Sequence, residues 1–297
     1  MNVASDRSIN GSLMFDEPMS RHTSWRLGGP ADQYYIPADL TDLQYFLAQL
    51  EPEIEILWVG LGSNLLVRDG GFRGVVIAPL NSLREIHLDP DGLLYVESGI
   101  SCAKMAKFCQ KQGLDGADFF AGIPGTVGGA LAMNAGAFGG ETWAAVEQVI
   151  MIDRAGSLIE RSPADFEIDY RHVGLPRQEW FAAARFRLPA RAAGESSNIR
   201  ELLKQRNATQ PIGQPSCGSV FKNPPGKYAA QLIEAAGLKG HCLGTACVSD
   251  KHANFIISAS NTTASDVEAL IAHIRETIAV QFNVDLETEV RIVGDTL

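Results

Sequence analysis

The chain has no run of 18 apolar residues, so no membrane-spanning helix is expected. Met1 to Asn10 (MNVASDRSIN) lacks a basic stretch followed by an apolar one, so no signal peptide is expected either. The five cysteines (102, 109, 217, 242 and 247) are an odd number without a CxxC pair or a Cys/His zinc spacing. Free thiols in a reducing cytoplasm, with no structural metal, are the expectation. Positive charge is scarce: 25 Lys and Arg against 35 Asp and Glu leave a net charge of −10, the opposite of the basic footprint needed to grip a nucleic-acid backbone. Internal repeats and low-complexity tracts are also missing. With 45% apolar and 20% charged residues in 297, what remains is an ordinary globular chain. Its length suggests about two folding units.

Residues 1–20 are polar and irregular, and read as an N-terminal arm. From there DQYYIP (32–37) reads as a strand, LTDLQYFLAQL (40–50) as a helix and IEILWVG (54–60) as a buried strand ended by glycine. Short strands are expected at 74–78, 83–88 and 93–97, and Ser101 is placed to cap a helix with Met105, Ala106 and Cys109 on one face. Strands at 146–153, 157–161 and 181–188 lead to a small, polar linker at 189–198. Beyond it come helices at 199–208 and 228–236, the second ended by Gly237. A last helix is entered through Ser265 and Glu268 as a capping box, with Val267, Leu270, Ile271, Ile274 and Ile278 on one face. Leu286 to Val293 reads as a closing strand. The layout is α+β, divided near residue 190.

Glycine is in surplus, 29 where background usage of about 7% gives about 21. Seven of the 29 fall between Ala121 and Glu141 (AGIPGTVGGALAMNAGAFGGE), and no charge interrupts that stretch before Glu141. An earlier loop, GLGSNLLV (60–67), follows an apolar strand but is not GxGxxG and leads into another extended stretch. Bare backbone at Gly60 and Gly62, with donors from Ser63 and Asn64, suits phosphate oxygens; a tight turn between strands fits this octapeptide equally. The longer segment can bring its backbone close to a flat or phosphorylated ligand, with Asn134 as the side-chain amide. Its structural alternative is a Gly/Ala helix packed tightly on a sheet. Two such loops about 60 residues apart favour an extended dinucleotide.

GLGSNLLV and AGIPGTVGGALAMNAGAFGGE together resemble the flavin-binding half of the vanillyl-alcohol-oxidase-like (PCMH-type) fold. With DYRH (169–172), GSVFKNPP (218–225), AGLKG (236–240), VSDKHANFI (248–256) and LETEVRIVG (286–294), the chain resembles the UDP-N-acetylenolpyruvoylglucosamine reductase family over about residues 20–295. Little chain lies between DYRH and the next strand, so the compact form without an extra substrate-covering loop is the closer likeness. The resemblance implies an FAD-binding domain at 21–190, in subdomains of about 21–80 and 81–190, and a substrate-binding domain at 196–297. It implies non-covalent FAD held by Gly60, Gly62, Ser63, Asn64, Leu65, Gly122, Ile123, Pro124, Gly125, Gly128, Gly129, Asn134 and Gly136. NADPH is the implied co-substrate and a UDP-sugar enolpyruvyl ether the substrate, in peptidoglycan precursor synthesis, with no nucleic acid, membrane insertion or obligate protein partner.

Hydride addition to such an ether leaves an enolate-like species that needs charge stabilisation and a proton. By resemblance Arg171 stabilises it, Ser219 gives the proton and Glu289, protonated or sharing a proton, sits nearby. Period-two alternation puts Glu287 and Glu289 on one strand face, so only the motif match selects Glu289. Tyr170, Arg206, Lys222, Asn223 and His252 are the implied substrate contacts. On sequence alone Arg171 reads as a surface residue and Ser219 as a turn serine, and only the resemblance gives them these roles. His172, His241 and His252 are scattered, without ligand spacing, and read as loop histidines. Cys217, Cys247 and Val173 depart from the family pattern; the two thiols read as small hydrophobes, with oxidation near Ser219 left open for Cys217. An oxidase of the same fold would tether its flavin through His or Cys, and neither glycine loop contains one. A binding module without turnover would not need Ser219 as a proton donor. Residues 200–251 hold seven Lys and Arg against three acids, a local +4 suited to a diphosphate and a carboxylate.

Overall fold

The computed structural model describes residues 9–297; the expectations for residues 1–8 lie outside them. Residues 12–18 correct the reading of an irregular arm. Ser12–Pro18 is a strand, antiparallel to Pro30–Ile36 and in register from Ser12 opposite Ile36 to Pro18 opposite Pro30. Pairing gives its backbone groups partners that a free arm would have to find in water. Pro30–Ile36 then runs parallel to Phe72–Ile77, which runs parallel to Ile56–Trp58, completing a four-stranded sheet. Helix α1 (Leu40–Leu47) makes the crossover, and the Asp39 carboxylate caps it by accepting from the Asp42 N–H. Leu43, Phe46 and Leu47 of α1 bury against Tyr35, Val75 and Ile77.

A five-stranded antiparallel sheet follows, in the order Leu158–Arg161, Val146–Asp153, Glu179–Phe186, Leu94–Glu97, Ile86–Leu88. The expected strand at 83–88 keeps only its second half, because Leu83 N already bonds the Pro79 carbonyl in a turn. Helices α2 (Cys102–Lys111) and α3 (Val127–Ala132) pack on this sheet, burying Met105, Ala106, Cys109, Val127 and Leu131 with Phe120, Met151 and Phe186. Ser101 caps α2 as expected, accepting from Lys104 N.

After the linker, α4 (Ile199–Thr209) packs back on the Asp118–Gly122 turn and the first half's core, while α5 (Ala229–Ala235) and α6 (Ala264–Phe282) share a core with a three-stranded sheet of Cys242–Leu243, Ala246–Val248 and Ile256–Ser258. All five residues of the expected α6 stripe are buried. Each contributes about 1.5–3 kcal/mol of apolar burial as an upper bound. The capping box is two residues earlier than expected: Thr263 and Asp266 bond each other's main chain. Ser265 and Glu268 are spent elsewhere, on the Asp69 carboxylate and on Arg68. These two contacts tie α6 to the first half of the chain.

Leu286 to Val293 is not one strand. Only Arg291–Val293 pairs regularly, parallel to Leu65–Val67, directly after the first glycine loop. The C-terminal core likewise takes in Trp25, Leu27 and Leu66, and Trp25 Nε1 donates to the Ile256 carbonyl. The two halves are therefore laced together beside the glycine loop. Cys242 and Cys247, directly opposite on the hairpin with Cα atoms 4.1 Å apart, form a disulfide; this corrects the reading of Cys247 as a free thiol. Cys102, Cys109 and Cys217 are free and buried. No helix among the described residues is long and apolar enough to cross a membrane.

Candidate active site

A cavity of about 620 Å³ opens where the two glycine loops, the Tyr170-Arg171 turn and the C-terminal loops meet. The first loop, Gly60 to Asn64, is shaped by Gly62. Its φ is +59°, a Cβ there would come within 2.1 Å of the His22 carbonyl oxygen, and its own carbonyl accepts from Ser24 N at 3.0 Å. That docking turns Ser63 and Asn64 into the cavity wall. Gly60 is bare for a different reason, since Thr126 stands against it. Leu65 begins the buried strand instead of facing the cavity.

From the second loop Gly122, Ile123, Pro124 and Gly136 line the cavity, while Gly125, Gly128 and Gly129 do not. Gly128 follows the packing alternative, because a Cβ would meet Ser98 at 2.8 Å. Gly129 and Gly125 have no such reason: a Cβ would reach nothing nearer than 3.6 Å. Gly125 stands directly beside the wall residues Pro124 and Ser63, so its uncrowded backbone borders the cavity and leaves the close approach that a flavin dinucleotide requires; the residues present fit FAD. Asn134 is corrected. It is buried, its amide nitrogen lies 3.2 Å from both the Glu141 carboxylate and the Asp169 carbonyl, and its amide oxygen accepts from Trp143 N at 3.2 Å. Both polar atoms of that side chain already have partners within the protein and the residue does not line the cavity; it braces the loop.

Tyr170 and Arg171 form the turn between strands Glu167–Asp169 and His172–Gly174, with Arg171 at φ +53°. The Arg171 guanidinium donates to the carbonyls of Asn134 (3.1 Å) and Gly136 (2.9 Å), and its Nε lies 3.4 Å from Glu289 Oε1. The Tyr170 ring lies beneath the guanidinium, 5.0 Å from its carbon, and the Tyr170 hydroxyl accepts from Asn223 Nδ2 at 3.4 Å. Asn223 Oδ1 in turn accepts from Ala229 N at the start of α5.

Ser219 follows Gly218, which has φ +69°. Among the described residues its hydroxyl has no hydrogen-bond partner. The next residue, Val220, accepts through its carbonyl from Glu289 N at 2.8 Å, which brings Ser219 and Glu289 to the same wall. Asn64 holds Glu289 from the other side, its Nδ2 donating to the Glu289 carbonyl at 2.9 Å. Burial pushes the Glu289 carboxyl above its ordinary value, while Arg171, and then Lys222, pull it back. The segment is not a regular strand, so the two glutamates separate: Glu287 is exposed and paired with Lys222 at 2.6 Å, and Glu289 points inward.

Arg206 also faces the cavity, its Nε donating to Gln210 at 3.0 Å, and burial lowers its pKa. Lys222 and His252 do not line it. Lys222 is held by Glu287, and His252 Nδ1 accepts from Asn254 N. Cys217 reaches the wall, yet burial pushes its thiol up to about 12, so it is an inert hydrophobe and not an oxidation-prone thiolate. Sequence reasoning missed Ser24, Arg26 and Asn254. Arg26 carried no signal; Asn254 stood inside VSDKHANFI and was passed over for its charged neighbours.

Residues 210–293 match the family described as UDP-N-acetylenolpyruvoylglucosamine reductase, C-terminal domain, and residues 31–162 the family described as FAD binding domain. A UDP-N-acetylenolpyruvoylglucosamine reductase of Methylococcus capsulatus is 54% identical over 286 residues, 96% of this chain and 94% of that one. One of Alkalilimnicola ehrlichii is 53% identical over 295 residues, 99% of both. The crystal structure of UDP-N-acetylenolpyruvylglucosamine reductase from Thermus caldophilus superposes with a TM-score of 0.82 at 30% identity, covering 97% of this chain and all of that one. At such identity over nearly the whole length, the chain belongs to the UDP-N-acetylenolpyruvoylglucosamine reductase family.

Proposed function

We infer that the protein is an FAD-dependent oxidoreductase that uses NADPH to reduce UDP-N-acetyl-3-O-(1-carboxyvinyl)glucosamine to UDP-N-acetylmuramate, a step of peptidoglycan precursor synthesis. The carrying observation is that Arg171, Ser219 and Glu289, far apart in sequence, line one cavity together with both glycine loops. Bound FAD supplies the two-electron relay between nicotinamide and enolpyruvyl ether. The chain's own residues manage charge and protons. Arg171, with two donors fixed on carbonyls and the rest of its fork toward Glu289, stabilises the carboxylate as negative charge builds. Ser219, with an uncommitted hydroxyl, delivers the proton to the carbon that bears that charge. Glu289 works in its neutral or proton-sharing form, which burial supports; an ionised carboxylate would repel the substrate. Arg206, Tyr170 and Asn223 hold substrate polar groups at the mouth.

The FAD-binding region is assigned to 21–190 and the substrate-binding domain to 196–297. The subdomain division near residue 80 is supported by the two large sheets lying on either side of it. A cytoplasmic enzyme acting without an obligate protein partner is the accompanying assignment. Purified protein is expected to be yellow and to release its flavin on acid precipitation; flavin that stays in the pellet points to a tethered oxidase instead. Anaerobic NADPH should bleach the flavin and the enolpyruvyl UDP-sugar should restore its colour. Recovery only with oxygen refutes the reductase reading.

A further inference from the structure

We propose that Asn254, outside the catalytic set, is a positioning residue that holds the Ser219 loop in register with Glu289 and so sets the protonation geometry. This rests on the role assigned to Ser219 above. Asn254 is only 4% exposed. Its Oδ1 accepts from Phe221 N at 3.0 Å, its Nδ2 donates to the Phe221 carbonyl at 2.8 Å, and its own carbonyl accepts from Val220 N at 2.9 Å. The chain turns here, with Phe255 N bonding the His252 carbonyl, so it cannot continue as a strand beside residues 220–222. The carboxamide offers one donor and one acceptor, the pair that a neighbouring peptide would have offered.

The opposite edge of the same segment is bound by the run that carries Glu289. Glu289 N donates to the Val220 carbonyl at 2.8 Å, Lys222 N to the Glu287 carbonyl at 2.9 Å, and Phe221 bridges Thr288. Residues 220–222 are thus gripped from both sides, and Ser219 is the next residue out. Without the amide, one edge is free and the buried Phe221 N–H and C=O lose their partners. A displacement of about 1 Å at a reacting group costs about a hundredfold in rate.

The test uses the full-length, FAD-loaded protein in anaerobic stopped flow, with Asn254→Leu, Asn254→Asp and Ser219→Ala. Asn254→Leu should keep flavin reduction by NADPH within about twofold and slow reoxidation by the enolpyruvyl UDP-sugar about 10- to 100-fold. In Asn254→Asp the ionised carboxylate accepts from Phe221 N but cannot donate to its carbonyl, whereas the protonated acid does both. Its reoxidation should therefore recover as pH falls, relative to Asn254→Leu at the same pH. The titratable groups around the site are His252 on the same turn and Glu287, Glu289 and Lys222 across the segment. Both variants carry them alike, so the comparison cancels their titration. Equal loss in both half-reactions, no loss in either, or an aspartate variant without acid recovery overturns the proposal; if Asn254→Leu does not fold, Asn254→Asp is compared at each pH with wild type, which carries the same neighbouring groups, and that ratio decides. Should Ser219→Ala reoxidise at the wild-type rate, it is the role of Ser219 that fails. Should Ser219→Ala be slow and Asn254→Leu normal, only the role of Asn254 fails.

Discussion

Replacing Arg171 by lysine keeps the charge and removes the fork. In the protein the two terminal nitrogens donate to the Asn134 and Gly136 carbonyls at 3.1 and 2.9 Å while Nε faces Glu289 at 3.4 Å, three directions fixed by one plane. A lysine ammonium is a single point on a flexible stem and cannot stand at all three places. At least one carbonyl bond and the approach to Glu289 are lost. A hydrogen bond involving a charged group contributes about 1.5–3 kcal/mol, and about 1.4 kcal/mol is tenfold in rate. Oxidation of the reduced flavin by the enolpyruvyl UDP-sugar should therefore slow about 10- to 100-fold in Arg171→Lys, with flavin reduction by NADPH nearly unchanged. Arg171→Met adds a test of sign. Arg171 is the stronger of the two cations opposing the effect of burial on Glu289, so its removal raises the carboxyl's pKa further. If neutral Glu289 is the working form, the alkaline fall in reoxidation rate moves to higher pH in Arg171→Met, on top of a lower maximum. Wild-type reoxidation in Arg171→Lys, or an alkaline limb that moves to lower pH in Arg171→Met, refutes the reasoning.

Glu289→Gln reads the same carboxyl through stability. The folded-state pKa lies above the ordinary carboxylate value, so the stabilising contribution of the neutral form is complete below that ordinary value and is lost as pH rises through the folded one. Thermal unfolding from about pH 4 to about pH 8 should show wild type falling relative to Glu289→Gln over that window; parallel curves sink the assignment. Gly129→Ala should leave the melting temperature nearly unchanged and weaken flavin retention, since its Cβ meets only Thr126 at 3.6 Å. Gly128→Ala, pressed on Ser98 at 2.8 Å, should instead lower the melting temperature; the reverse outcome would exchange the cradle and packing roles. The double change Cys242→Ser and Cys247→Ser opens a loop with a sequence separation of 5 and should cost about 2 kcal/mol in chemical denaturation. Both flavin half-reactions should survive, because neither residue lines the cavity.

Much of the fold was legible because the local signals were strong. The α6 stripe, the Ser101 cap and the strand at 146–153 needed only periodicity and one side chain each. The failures share a cause. The box at Ser265 and Glu268 satisfied the local rule, but Asp69 and Arg68 from the other half of the chain claimed those side chains. The strand expected at 286–293 was cut to three residues because its first part follows the Ser219 loop and its last follows Leu65–Val67. Asn134 was read as a ligand amide because it stands in a glycine-rich loop; its partners Asp169 and Trp143 lie outside the loop and were invisible. In each case tertiary partners, absent from any sequence window, decided between two locally acceptable structures.

The charge of the site shows the same limit and its consequence for chemistry. Residues 200–251 carry a surplus of +4, but little of it faces the cavity: Lys222 is paired with Glu287 from outside the window, Lys239 with Glu234, Lys251 is bonded to the Asn207 carbonyl, and none of the three lines the wall. Of that window only Arg206 lines the wall, and its companions Arg26 and Arg171 come from segments far away in sequence. Three arginines line the cavity against one glutamate, Glu289, whose carboxyl burial holds toward its neutral form. The cavity is therefore cationic inside a protein of net charge −10, and the cationic groups are all arginines, which keep their charge when desolvated where lysines readily lose it. A substrate bringing a diphosphate and a carboxylate needs that separation. The acidic exterior does nothing to attract it, so under the proposed function its capture would fall to these three arginines, whose convergence only the folded chain creates.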